Sequence, residues 1–174
     1  VPSPALAIDA AAACSGAGLS RVYSVTEDFV IDHVRLGFNG VHSHRDDISV
    51  ILESPSGTLV EVLRDDGVSG TMFRNYDVLL HDGAATSYAL AEDDPDPPLY
   101  QRLARPAEPL GVFRGEDSRG EWTLHICDQN PGGDDGVYHQ SRLTLYPRDT
   151  GARTGRWTYK VPMPDGLDHV SRTI

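Results

Sequence analysis

A strand–turn–strand pattern over residues 47–60 constrains the fold of this chain more than any other segment. Ile48, Val50 and Leu52 alternate with mostly polar neighbours, which is the two-residue period of a half-buried strand. Ser54-Pro55-Ser56-Gly57 then supplies turn chemistry, because Pro presets φ for a turn and Gly accepts a positive φ. β-branched residues lead back along the chain after the turn. The segment therefore predicts a β-hairpin.

Short segments with the same period recur along the chain, each followed by turn residues. The clearest are centred on Val78 and Leu124. No long stretch keeps the apolar spacing of an amphipathic helix, and the Ala-rich residues 5–13 predict at most a short helix or a flexible lead-in. Many short strands with almost no helix predict an all-β fold, a β-sandwich or jelly roll. The order of the strands cannot be read from periodicity.

The composition restricts the classes of partner. The chain has 174 residues, one domain's worth, and a net charge of −11. That charge argues against nucleic acids and anionic membranes, which need basic surfaces, and favours cations. No apolar run approaches the roughly 20 residues that span a bilayer. Because the chain starts at Val1 without a basic leader, we expect a secreted mature form or an excised segment.

The two cysteines, Cys14 and Cys127, are compatible with a disulfide in a secreted domain. The alternative is a pair of buried free thiols. A bridge would close a loop of over a hundred residues, for which chain entropy gives about 4–5 kcal/mol of stabilisation.

Several elements, in the right order, resemble the P domain (also called Homo B domain) of subtilisin-like proprotein convertases and many secreted bacterial proteases. The matching elements are the His-containing loop at residues 42–48, the turn at 54–58, residues 75–85, residues 109–113 leading into 120–124, and the acidic loop at 128–136 before the closing strand at 143–146. The similarity extends roughly from Thr26 to Tyr146, which is most of the chain.

This resemblance implies a jelly-roll β-sandwich of the galactose-binding-domain-like type over residues 21–149. Residues 1–20 would be an N-terminal lead-in, and residues 150–174 a C-terminal extension with a possible added strand. The resemblance also implies a secreted module that has no catalytic residues of its own. Such a module stabilises a subtilisin-like protease domain, attached or separate, and modulates its response to calcium and pH.

Close-set carboxylates in loops suggest a calcium site, since a divalent cation relieves their mutual repulsion and Ca²⁺ accepts oxygen ligands from flexible loops. None of the loops has EF-hand spacing, so the signal is compositional, strengthened by the resemblance. The alternative is that they are solvated acidic turns. The candidate ligands are Asp46, Asp47, Asp77, Asp82, Asp128, Asp134 and Asp135.

Two further kinds of site are weaker. His42 and His44 could bind Zn²⁺ with Asp46 or Asp47, but two clustered histidines favour a His–Asp hydrogen bond that fixes the loop and titrates near neutral pH. A hydrolytic triad could be drawn from Ser43 or Ser141 with His139 and Asp135. No Gly-x-Ser-x-Gly elbow or Gly-rich oxyanion loop supports it, so we predict no enzyme activity.

Trp157 and Tyr159 share one face of a predicted strand in the C-terminal extension. Exposed, they would form a platform for a sugar ring, and the chain would be a carbohydrate- or surface-binding jelly roll. Packed, they would close an edge of the sandwich, which is the interpretation we favour. Fold alone does not decide between these functions.

Overall fold

The computed structural model describes residues 5–65, 75–90, 98–133, 135–149, 156–160 and 171–173, the last two ranges as backbone only. These residues form strands joined by loops and short 3-10 helices. The strands are β1 (Leu6–Ile8), β2 (Leu19–Val25), β3 (Ile31–His42), β4 (Ile48–Glu53), β5 (Leu59–Leu63), β6 (Asn75–Leu80), β7 (Arg102–Ala104), β8 (Gly120–Asp128), β9 (Gly136–Pro147), β10 (Arg156–Lys160) and β11 (Ser171–Thr173). The 3-10 helices are Ala10–Ala12, Arg45–Asp47, Tyr88–Leu90 and Leu110–Phe113.

The strands form two packed sheets. The larger, seven-stranded sheet has the order β11-β10-β9-β3-β6-β7, with β1 also pairing with β9. The smaller sheet has the order β2-β8-β4-β5. Neighbours are antiparallel, except that β6 and β7 run parallel. The predicted all-β sandwich is confirmed, while the jelly-roll assignment stays a prediction.

The predicted hairpin over residues 47–60 is confirmed as β4 and β5, which pair antiparallel. Gly57 has a φ of +81°, and its backbone N–H donates to the Ser54 carbonyl oxygen at 2.9 Å. The left-handed conformation is available to Gly without steric cost, so the turn needs this residue. The alternating residues of β4 then face the core, where Ile48 and Leu52 are fully buried.

Strand β8 supplies the largest side chain of the core. Trp122, Leu124 and Ile126 alternate inward and are all fully buried. The Trp122 indole N–H donates to the Ser118 carbonyl oxygen at 2.9 Å, and its ring meets Phe113 edge-on at 5.1 Å between centroids. The tryptophan therefore anchors the sandwich with its one polar atom satisfied, as expected for a buried indole.

The N-terminal segment is built into the sandwich. The Ala-rich residues form strand β1 and a 3-10 helix, and the Asp9 carboxylate caps that helix by accepting the Ala11 N–H at 2.8 Å. The Cys14–Cys127 disulfide is confirmed and ties this segment to β8 across a sequence separation of 113 residues. β10 and β11 lie within residues 150–174, while the domain boundaries given above stay predictions.

Candidate functional site

Two of the predicted acidic segments meet at one end of the smaller sheet. Pairing of β4 with β8 sets Ile48 opposite Asp128, and the Gln129 N–H donates to the Asp47 carbonyl oxygen at 2.7 Å. Burial raises the pKa of the Asp47 carboxyl, and the negative charges of Asp46 and Asp128 raise it further. The fold therefore brings together carboxylates that are distant in the sequence.

Asp128 forms a buried pair with His42. The Asp128 Oδ2 lies 3.5 Å from the His42 Nε2, and both side chains are fully buried. Neither atom has a hydrogen-bond partner, while the other oxygen of the carboxylate accepts the Asn130 N–H at 2.7 Å. The sequence suggested Asp46 or Asp47 as the partner of the histidine, and the structure pairs it with Asp128 instead.

Contacts with the His44 backbone hold the His42 ring in this position. Its Nδ1 lies 2.7 Å from the His44 carbonyl oxygen and 3.3 Å from the His44 backbone nitrogen. These contacts fix the orientation of the ring, so its Nε2 faces the Asp128 carboxylate.

The later part of the acidic loop at 128–136 also reaches this end of the sandwich. The Ser43 N–H donates to the backbone oxygen of Asp135 at 3.1 Å, while the Asp135 side chain is exposed. Asp134 lies outside the described residues. Asp46 has one buried carboxylate oxygen, Oδ1, without a hydrogen-bond partner. We name Asp46, Asp47, Asp128 and their neighbour His42 the acidic cluster.

The other two predicted metal ligands lie elsewhere and already accept backbone hydrogen bonds. Asp77 is buried and accepts the Tyr100 N–H at 3.0 Å. Asp82 accepts the N–H groups of Leu110 and Gly111 at 2.8 and 2.7 Å, at the start of a 3-10 helix. These carboxylates have a structural use that the sequence did not indicate.

Across the described part of the chain, no three His, Cys, Asp or Glu side chains converge closely enough to hold a metal ion on their own. A cation at the acidic cluster would therefore need backbone oxygens or water in addition, which Ca²⁺ accepts.

The residues of the imagined hydrolytic triad have other contacts. The Ser141 hydroxyl is buried between the Tyr23 and Tyr138 hydroxyls, at 2.5 and 2.7 Å. His139, the proposed general base, is exposed. The described contacts of the Ser141 hydroxyl are with the two tyrosines and not with this histidine. Trp157 and Tyr159 lie in β10, where the structure describes backbone only, and the sugar platform stays a prediction.

Sequence reasoning missed a buried arginine next to the acidic cluster. The Arg45 guanidinium donates to the carbonyl oxygens of Asn75, Tyr88 and Ala89 and lies 4.4 Å from the Tyr76 ring centroid. Its position in a run of polar residues gave no signal of burial. Arg45 connects the start of the acidic cluster to β6 and a neighbouring 3-10 helix.

Comparison with known proteins identifies a family and structural neighbours, two of which are described below. The model of the proprotein convertase P-domain matches residues 31–145. Crystal structures of the Aeromonas sobria serine protease, one of them in complex with the chaperone ORF2, are 18% identical to the chain with a TM-score of 0.41. Their alignments cover 100% and 99% of this chain but 24% and 26% of those chains, so the chain spans about a quarter of their length.

A likeness this distant carries no argument about function. No curated protein matches the sequence. Among the described residues, no helix has the length and apolar character that crossing a membrane requires.

Proposed function

This chain belongs to the proprotein convertase P-domain family, and from that membership we propose that it is a non-catalytic module that stabilises or regulates a serine protease. The family match carries the proposal: it begins at the first residue of β3 and ends within β9, so it includes strands of both sheets. The protease is either attached to the module or a separate partner. A disulfide fits an oxidising, extracellular location.

The protease role is tested by the thermal inactivation of a subtilisin-like serine protease from the same organism, with and without the purified chain. We expect the chain to lengthen the half-life of the protease in a concentration-dependent manner. The matched control is the chain with Cys14→Ser and Cys127→Ser, unfolded before use. An unchanged half-life at saturating chain, or peptide hydrolysis by the chain alone, would contradict the proposal.

We also propose that the module binds Ca²⁺ at the acidic cluster. Support comes from the raised pKa of Asp47 and from the buried, unpartnered oxygens of Asp46 and Asp128. A cation would neutralise the repulsion that these carboxylates exert on each other. Asp77 and Asp82 fit less well, because backbone N–H groups already bind one oxygen of Asp77 and both oxygens of Asp82.

Thermal unfolding in EDTA, Ca²⁺ and Mg²⁺ tests this second proposal. We expect Ca²⁺ to raise the melting temperature reversibly, since a ligand that binds only the folded state stabilises it. Asp47→Asn should abolish the Ca²⁺-dependent rise. Asp82→Asn should lower the melting temperature itself but leave the Ca²⁺-dependent rise in place. A rise that survives Asp47→Asn, or no rise in a sample shown to be metal-free by elemental analysis, would contradict a site at the acidic cluster.

A further inference from the structure

Two arginines of the larger sheet lack an ionic partner among the residues that the structure describes. Arg35 of β3 and Arg142 of β9 form no ion pair there. By contrast, Arg114 forms a 2.6 Å ion pair with Asp32. Unpaired, half-buried cations are unexpected in a chain with a net charge of −11, in which carboxylates are abundant.

Each of these guanidinium groups lies over an aromatic ring. The Arg35 Cζ is 5.3 Å from the Tyr146 ring centroid, and the Arg142 Cζ is 4.9 Å from the Tyr100 centroid. The Nε atoms of both arginines are buried without a hydrogen-bond partner. His33 stacks on Tyr146 at 3.9 Å between centroids and holds that ring in place. Ring stacking therefore positions the two guanidinium planes.

The strand register sets the two arginines beside each other. Arg35 pairs with Thr144, and Gly37 pairs with Arg142, so the arginines are diagonal neighbours on adjacent strands. Diagonal side chains on one face of a sheet are about 7–8 Å apart. A Cβ at Gly37 would come within 2.9 Å of the Tyr100 ring, so the glycine gives that ring its place on the sheet.

This spacing fits an extended chain. Side chains two residues apart on one face of a strand are about 6.6–6.8 Å apart, close to the spacing of the two sheet positions that carry the arginines. A guanidinium binds a carboxylate through two parallel hydrogen bonds. Alternate Asp or Glu residues of an extended segment can therefore each meet one arginine, whereas the acidic remainder of the chain would repel such a segment.

We propose that Arg35 and Arg142, with Tyr146 and Tyr100 beneath them, form a docking surface for an extended acidic segment of the partner protease. This arginine pair defines where the acidic segment docks, since it is a local positive site on a negatively charged module. The inference deepens the proposed function and rests on it, because the protease is the partner that the module is proposed to stabilise.

The test measures binding of a fluorescent twelve-residue peptide of alternating Glu and Ser by anisotropy in 50 mM NaCl. A Lys–Ser peptide of the same length is the probe control. We expect the Glu–Ser peptide to bind and the Lys–Ser peptide not to bind. Combining Arg35→Gln with Arg142→Gln should weaken binding by at least about tenfold. Lys at both positions should give an intermediate loss, because Lys keeps the charge but not the planar fork.

Arg119→Gln is the matched protein control. Arg119 is exposed, precedes β8 of the other sheet and is also without an ion pair among the described residues. It should change binding by less than about twofold, since a single exposed charge contributes little. Circular dichroism and thermal unfolding of every variant establish that the fold is intact before binding is compared.

Several outcomes would overturn the docking surface. One is that the double Gln variant binds the Glu–Ser peptide as tightly as the native chain does. Another is that the native chain binds a sulfated oligosaccharide more tightly than the peptide. A third is that the native chain sediments as a dimer and the double Gln variant as a monomer. If the double Gln variant stabilises the protease as well as the native chain does, the surface is overturned but the proposed function stands. If the native chain binds the peptide and does not stabilise the protease, the proposed function fails. The protease is then also ruled out as the partner that docks at the arginine pair.

Discussion

Replacing Asp128 by Ala is expected to destabilise the folded chain by about 2–3 kcal/mol, the cost of leaving a buried polar group without its neighbour. Both side chains of the His42–Asp128 pair are fully buried, so water cannot solvate the polar atoms that remain. The variant also removes the acceptor of the Asn130 N–H, at 2.7 Å, but Asn130 is exposed and water can replace that acceptor. Much of the expected loss is therefore the penalty of leaving the buried His42 ring without its partner.

A double-mutant cycle separates the pair from these other losses. His42→Ala, Asp128→Ala and the double variant are compared by urea unfolding at pH 7 with the disulfide intact, followed by circular dichroism. Once one side chain is gone, removing the other also removes a buried polar group without a partner. We therefore expect the double variant to lose less stability than the sum of the single variants, by about 1.5–3 kcal/mol.

The pair formed by His125 and Glu53 is the matched control. Its Nε2–Oε2 distance is shorter, 2.7 Å, but the side chains are 40% and 38% exposed. Its coupling energy should be below about 1 kcal/mol, because water screens exposed charges. If the exposed pair coupled more strongly than the buried pair, or if Asp128→Ala cost less than about 1 kcal/mol, the reasoning from burial would be refuted.

Three further predictions concern stability. Removing the disulfide with Cys14→Ser and Cys127→Ser should lower the unfolding free energy by about 5 kcal/mol, from the 113-residue separation and chain entropy, and an unchanged urea midpoint would contradict this. Burial and the Asp46 charge raise the pKa of Asp47 above 3.8, so its ionised form destabilises the fold above the folded-state pKa, and this penalty disappears as pH falls through that pKa. In EDTA, Asp47→Asn should therefore raise the urea midpoint at pH 7 and leave it unchanged at pH 3. A midpoint raised at pH 3 and unchanged at pH 7 would contradict this direction of the charge effect. Trp122→Phe should cost about 2–4 kcal/mol, because it leaves a cavity and an unbonded Ser118 carbonyl oxygen, and a calorimetric change below about 1 kcal/mol would contradict this.

Much of the local structure was predictable because its signals are local. The alternation in β4 and β8 and the turn at Gly57 follow from a two-residue period and from backbone conformation, and both predictions are confirmed. The Ala-rich residues 5–13 were less predictable. Their composition allowed a short helix, and a 3-10 helix forms at Ala10–Ala12, but pairing of Leu6 with Tyr138 of β9 makes the residues before it a strand. Tertiary pairing thus overrides a local preference.

The candidate site also has a part that the sequence predicted and a part that only packing decided. Sequence composition identified the acidic loops as candidates, but it treated seven aspartates as equivalent. Packing distinguishes Asp82, whose oxygens accept backbone N–H groups, from Asp128, which has a buried oxygen without a hydrogen bond. The arginine pair of the larger sheet gave no sequence signal, because its geometry depends on the register between β3 and β9.

The sequence by itself determined the strand class, the hairpin with its turn, the family and the pair of cysteines that form the bridge. Tertiary structure alone decided that His42 meets Asp128 and that Arg35 lies beside Arg142. The physical reason is that periodicity encodes which face of a strand is buried, whereas the neighbour of that strand is chosen by the packing of the whole sandwich.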